Sequence, residues 1–82
     1  MTNLEKYNKI VKRDLGASDN ELNDDVLVYN RYERWDSVTH VEMVSDLEDA
    51  FGVMFETLDI TSFNKYSLGI EILEKLGVNM NE

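Results

Sequence analysis

Ser37 stands directly behind Asp36 and opens a stretch, "SVTHVEMVSDLEDAF", that reads as an amphipathic helix; His40 follows three residues later. Serine with histidine at that spacing raises the question of nucleophilic catalysis, since residues three apart share a helix face. A hydrolase also needs a third group to orient the imidazole and an oxyanion hole. The strained G-x-S-x-G turn that serves some hydrolases is missing. Catalysis by this pair is therefore not expected, and His40 is expected on the surface of the first or second turn. Two roles remain for Ser37. It can be a capping or first-turn residue. It can instead be an attachment point, because a phosphodiester there would lie over the free amides of a helix N-terminus, where anions are stabilised. An attachment serine needs no base in its own chain, since a separate transferase supplies one.

A calcium loop is the other chemistry to weigh. "DNELNDDVLVYN", residues 19 to 30, is acidic at alternate positions. An EF-hand needs Gly at its sixth position and a bidentate Glu at its twelfth. Asp24 and Asn30 stand there. A dedicated calcium site is not expected, and no metal ligand set is assigned; loose divalent binding to an acidic surface stays open.

The elements that carry these residues follow from apolar spacing. Leu4, Tyr7, Val11 and Leu15, with Ile10, recur at helical intervals, and Gly16 is a left-handed stop. Residues 16 to 34 hold no sustained period. Leu22, Val26, Leu27, Val28, Tyr29 and Tyr32 can anchor that long loop, and a loop of this length implies a function or a short helical turn within it. Asp36 is a good N-cap for the second helix. Val41, Val44, Leu47 and Phe51 should face the core, with Glu48 on the same stripe, and Gly52 should end the helix. Val53, Phe55, Leu58, Ile60 and Phe63 read as anchors of a connection with one helical turn. The last helix, about Tyr66 to Leu76, should bury Tyr66, Ile70 and Leu73 before Gly77. "VLVY" is the only strand candidate, and it has no evident partner. The expected fold is all-α: one domain over residues 1–82, three main helices, one short helix and a long first loop.

Composition narrows the function classes. The chain of 82 residues has no cysteine, so neither a disulfide nor a thiolate metal site is available. Its net charge of −9, from 17 acids against 8 bases, disfavours nucleic acid and anionic lipid and favours basic protein partners. Lys6, Lys9, Lys12 and Arg13 make the first helix mildly basic. Between Trp35 and Asn64 there is no Lys or Arg, while Asp36, Glu42, Asp46, Glu48, Asp49, Glu56 and Asp59 all lie there. An acidic face results, which is either a solvated surface or a docking surface. The N-terminal residues lack the apolar run of a secretory signal or a membrane span, so a cytoplasmic location is expected; the chain is also expected to act as a monomer without membrane insertion.

"WDSVTHVEMVSDLEDAFGV", residues 35 to 53, resembles the signature of acyl carrier proteins. In that family Asp-Ser-Leu opens the second helix and the serine carries phosphopantetheine. The resemblance runs from about Leu4 to Leu76 and rests on Asp36-Ser37 followed by Val41, Glu42, Val44, Leu47, Glu48 and Phe51-Gly52. The chain departs from the family at Val38, where Leu is usual, and at Arg34, where Gly is frequent. Trp35 directly precedes Asp36; it is expected to pin the loop to the core, with contact to the prosthetic arm as the alternative. The resemblance implies a stand-alone carrier rather than an enzyme. A phosphopantetheinyl transferase would modify Ser37 from coenzyme A with Mg²⁺, and an acyl or aminoacyl group would ride as a thioester. Acyl-activating and acyl-transferring enzymes with basic patches would dock on Asp36, Val38, Val41, Glu42, Glu48 and Asp49. Fatty acyl, hydroxyacyl, aminoacyl and polysaccharide-modifying cargoes would all use the same serine. An unmodified acidic adaptor for a basic protein is the alternative.

Overall fold

A computed structural model describes residues 1–82. Helix α1 spans Asn3–Leu15, α2 Ser37–Phe51, α3 Thr57–Ser62 and α4 Tyr66–Lys75, and one 3₁₀ turn, Asp19–Glu21, lies in the long first loop. The fold is all-α, with three main helices and one short one. No helix is long and apolar enough to cross a membrane.

Helix α1 starts in a reciprocal capping box. The Thr2 hydroxyl accepts from the Glu5 amide at 3.1 Å, and the Glu5 carboxylate accepts from the Thr2 amide at 2.9 Å. Gly16 ends the helix at φ 65°. Tyr7, Ile10, Val11 and Leu15 are buried, but Leu4 is exposed. At that end the inward face belongs to Asn3 and Tyr7, one turn apart. Asn3 donates its side-chain amide to the Asn79 carbonyl at 2.8 Å, and the Tyr7 hydroxyl donates to the Tyr66 carbonyl at 2.6 Å. Burial pushes the Tyr7 phenol well above its ordinary range.

Helix α2 packs against α1. Its buried stripe is His40, Met43, Val44 and Leu47. Val41 therefore corrects the expected stripe: it is 65% exposed, and Phe51 is only half-buried. The stripe is turned by one residue because His40, expected on the surface, is buried. Both of its ring nitrogens are hydrogen-bonded, which removes the penalty for burying it. Gly52 ends α2 at φ 64°. Lys6 of α1 donates to the Ala50 carbonyl at 3.0 Å and sits 4.8 Å from the Phe51 ring centroid, so a cation closes the negative end of the helix dipole.

The connection to α3 buries Phe55 and leaves Met54 exposed. Helix α3 turns Asp59 and Phe63 inward, four residues apart. Leu58, expected as an anchor, is 78% exposed because it points off that face. Asp59 is buried, accepts from the Glu56 amide at 3.1 Å, and is paired with Lys75 of α4. The Lys75 ammonium, then the Glu56 amide, hold the Asp59 carboxyl below its ordinary range.

Helix α4 is capped from a distance. Asp24, in the long loop, accepts from the Ser67 amide at 2.7 Å and the Ser67 hydroxyl at 2.6 Å. Gly69, Ile72 and Leu73 are buried, whereas Tyr66 and Ile70 are half-buried. A β-carbon on Gly69 would lie 2.2 Å from the Tyr7 hydroxyl and 2.8 Å from the Phe63 ring, so α4 approaches closely because this residue is glycine. "VLVY" does find a partner: Val28 forms one antiparallel bridge with Lys65, through the Tyr29 amide to the Asn64 carbonyl and the Tyr66 amide to the Leu27 carbonyl. After Gly77 the chain turns back and buries Met80 beside the core that holds Met43; Met1 and Met54 face outward.

Candidate functional site at the start of α2

The approach to α2 is a tight turn. Asn30 takes a left-handed conformation, φ 63°, and its amide donates to the Trp35 carbonyl at 2.9 Å; the Trp35 amide donates to the Tyr32 carbonyl at 2.9 Å. Trp35 is buried and pins the loop to the core. Its indole N–H donates to His40 Nδ1 at 2.9 Å, and His40 Nε2 lies 2.8 Å from the Ile60 carbonyl of α3. An indole can only donate, so Nδ1 accepts, and Nε2 carries the proton and donates to Ile60. Tyr29 and Phe63 flank the imidazole at centroid distances of 5.1 and 5.5 Å. A cleft of about 210 Å³ opens beside it, lined by Tyr29, His40, Ile60, Thr61 and Phe63.

Asp36 is the N-cap: its carboxylate accepts from the Thr39 amide at 2.9 Å. That bond holds the Asp36 carboxyl below its ordinary range. Ser37 is the first helical residue and is exposed. The cap is thus made by its neighbour, and Ser37 stands exposed without that duty. His40 is turned into the core with both nitrogens engaged, so the two residues that suggested a catalytic pair are separated. A group on Ser37 fits the outer surface of the first turn. Because Asp36 already takes the Thr39 amide, an anion there would have a carboxylate beside it and would have to face solvent, which narrows the expectation that free first-turn amides would hold it.

The other expected site residues divide. Val38, Val41, Glu42 and Asp49 are exposed, with Val38 67% and Val41 65% open to solvent. Val38, Glu42 and Asp49 share one outer face of α2, and Val41 is exposed one turn beyond Ser37 on the serine's side. Glu48 is not free in the same way. It is half-buried, and its carboxylate accepts from the Phe55 amide at 2.7 Å, which ties the connection after Gly52 back onto α2. Asp46 is turned toward α1, where Arg13 pairs with it at 3.0 Å. The acidic loop is likewise occupied: Asn23 Oδ1 accepts from the Asp25 and Val26 amides, and Asp24 caps α4. No three His, Asp or Glu side chains come together as a metal site.

Sequence reasoning missed the Trp35–His40–Ile60 relay. One signal was present: the chain has a single Trp and a single His, five residues apart across a helix start. No protein-family model matches the chain, and no curated protein matches it.

Proposed function

We propose that the chain is a phosphopantetheine-dependent acyl carrier modified on Ser37. The observation that carries this reading is the division of labour at the start of α2: Asp36 caps the helix, and Ser37 is left as an exposed hydroxyl. The resemblance of residues 35 to 53 to the acyl carrier signature, and the arrangement of three main helices, one short helix and a long first loop, support it.

In the modification step the Ser37 oxygen attacks the β-phosphorus of coenzyme A. A serine–phosphorus bond forms and the pyrophosphate P–O bond breaks. Adenosine 3′,5′-bisphosphate leaves, and the serine proton passes to a base of the transferase. Phosphopantetheine supplies a thiol on a flexible arm, where cargo is held as a thioester and the tether raises its effective concentration at partner active sites. This chain contributes presentation and docking. Asp36 fixes the first turn, and Val38 and Val41 offer a small apolar contact. Glu42 and Asp49 draw in basic partner surfaces. Rim ion pairs of this kind contribute about 0–1 kcal/mol each, so docking is weak and fast, as a carrier that must leave each enzyme requires.

Intact-mass spectrometry after incubation with coenzyme A, Mg²⁺ and broad-specificity transferases tests the proposal. One phosphopantetheine per wild-type chain and none on Ser37→Ala is the expected result. A modified alanine variant, or a wild type left bare by several transferases, would overturn it and favour the unmodified acidic adaptor.

A further inference from the structure

Three elements meet on one imidazole. Residues 28 to 35 arrive through the Trp35 indole, α2 contributes His40 itself, and α3 arrives through the Ile60 carbonyl. The neighbouring rings, Tyr29, Phe63 and Trp35, would pack equally against an apolar side chain. Burying a histidine and an indole N–H repays its desolvation only when every polar atom is paired. Here each is paired, and the two bonds fix direction, which apolar contact does poorly. One bond holds Trp35, two residues before Ser37. The other holds α3, which borders the cleft beside it. The His40 amide also donates to the Asp36 carbonyl at 2.9 Å, so the residue lies in the same turn that presents the serine.

We propose that His40 is a positioning residue: through the Trp35 indole on Nδ1 it sets how the Ser37 hydroxyl is offered to the modifying transferase, while its bond to Ile60 on Nε2 ties α3 to the same imidazole. The inference rests on the carrier reading of Ser37. His40 touches no reacting atom and acts through the backbone of residues 35 to 37. Misplacement of a reacting group by about an ångström slows a positioned reaction up to about a hundredfold, so a loosened turn should cost about tenfold in turnover.

The two bonds can be separated. His40→Gln keeps a donor near the Nε2 position, for Ile60, and removes the acceptor for the indole. His40→Asn keeps an acceptor near Nδ1 and removes the donor to Ile60. Transferase kinetics with each folded carrier as the varied substrate should show kcat about tenfold lower for His40→Gln, with KM within about twofold. His40→Asn should stay within about threefold of wild type, although both variants lose melting temperature. Trp35→Phe, which removes the same hydrogen bond from the other side, should match His40→Gln in kcat. In wild type the indole N–H proton resonance should lie downfield of its position in His40→Gln. Rates that follow melting temperature in all three variants, or a His40→Gln rate equal to wild type, would overturn this inference alone. A wild-type chain that accepts no phosphopantetheine would overturn the carrier reading together with it.

Discussion

Glu42 and Glu48 lie six residues apart on α2 and have opposite duties. Glu48 accepts from the Phe55 amide and holds the connection to α3 in place. Glu42 is exposed, one turn beyond Val38 on the same face. Glu48→Ala should therefore lose about 1.5–3 kcal/mol of unfolding free energy in urea titrations, the scale of a lost bond to a charged acceptor. Glu42→Lys should leave stability within about 0.5 kcal/mol. It should slow association with a basic partner at low salt, an effect that fades as screening rises. Asp24 gives a pH signature. The Ser67 hydroxyl, then the Ser67 amide, hold its carboxyl below the ordinary range. A carboxyl lowered by folding stabilises fully above its unfolded pKa of about 3.9 and loses that contribution as pH falls through the folded value. Acid unfolding should thus be shallower below about pH 4 in Asp24→Asn than in wild type, measured by circular dichroism at matched temperatures. Ser37 and Asp36 were legible because side-chain type and position at a helix start fix their geometry. Glu42 and Glu48 could not be told apart, because both are acids in one run and their difference lies in where Phe55 returns.

At the scale of elements, spacing predicts the extents of α1 and α4 well, since each has an apolar period and a glycine just beyond its end, but on α4 it finds only Leu73 of the buried face, which Gly69 and Ile72 complete. It misplaces the stripe of α2 by one residue, because a hydrophobic count cannot foresee that a histidine with two partners takes a core position. Leu58 misleads for a related reason: a helix of six residues has too few turns to declare its face. The long loop has no period because its order comes from caps and a single bridge to Lys65. Gly69 shows how closely α4 is set. Gly69→Ala gains about 1 kcal/mol of helix propensity, yet its methyl group would strike the Tyr7 hydroxyl and the Phe63 ring. Overpacking costs about 1–3 kcal/mol, so the net change should be a loss, seen as a lower denaturant midpoint with an unchanged slope.

For the whole molecule, charge works against compactness. The net charge is −9, and Arg13 is shared between Asp14 and Asp46 across α1 and α2. Burial, then the neighbouring Asp46, raises the Asp14 carboxyl above its ordinary range. The unfolded chain can spread these charges and the folded one cannot. Melting temperature should rise with NaCl as the Debye length falls from about 30 Å at 0.01 M to about 10 Å at 0.1 M. A flat response in differential scanning calorimetry would contradict that account. The acidic bias was plain from composition, but its pairing was not, because Arg13 and Asp46 meet only once α1 lies on α2.

The distribution of sulfur across the surface gives the chain a built-in chemical record of its own folding. Met1 and Met54 are about four-fifths exposed, while Met43 and Met80 are shielded. A brief pulse of peroxide should convert the outer thioethers to sulfoxides quickly and spare the inner pair, since access governs the reaction. Peptide mapping then reads Met43 as a reporter of the packing of α2 and Met80 as a reporter of the returning C-terminal segment. Oxygen uptake at Met80 ahead of Met43 would mark that segment as coming loose before α2.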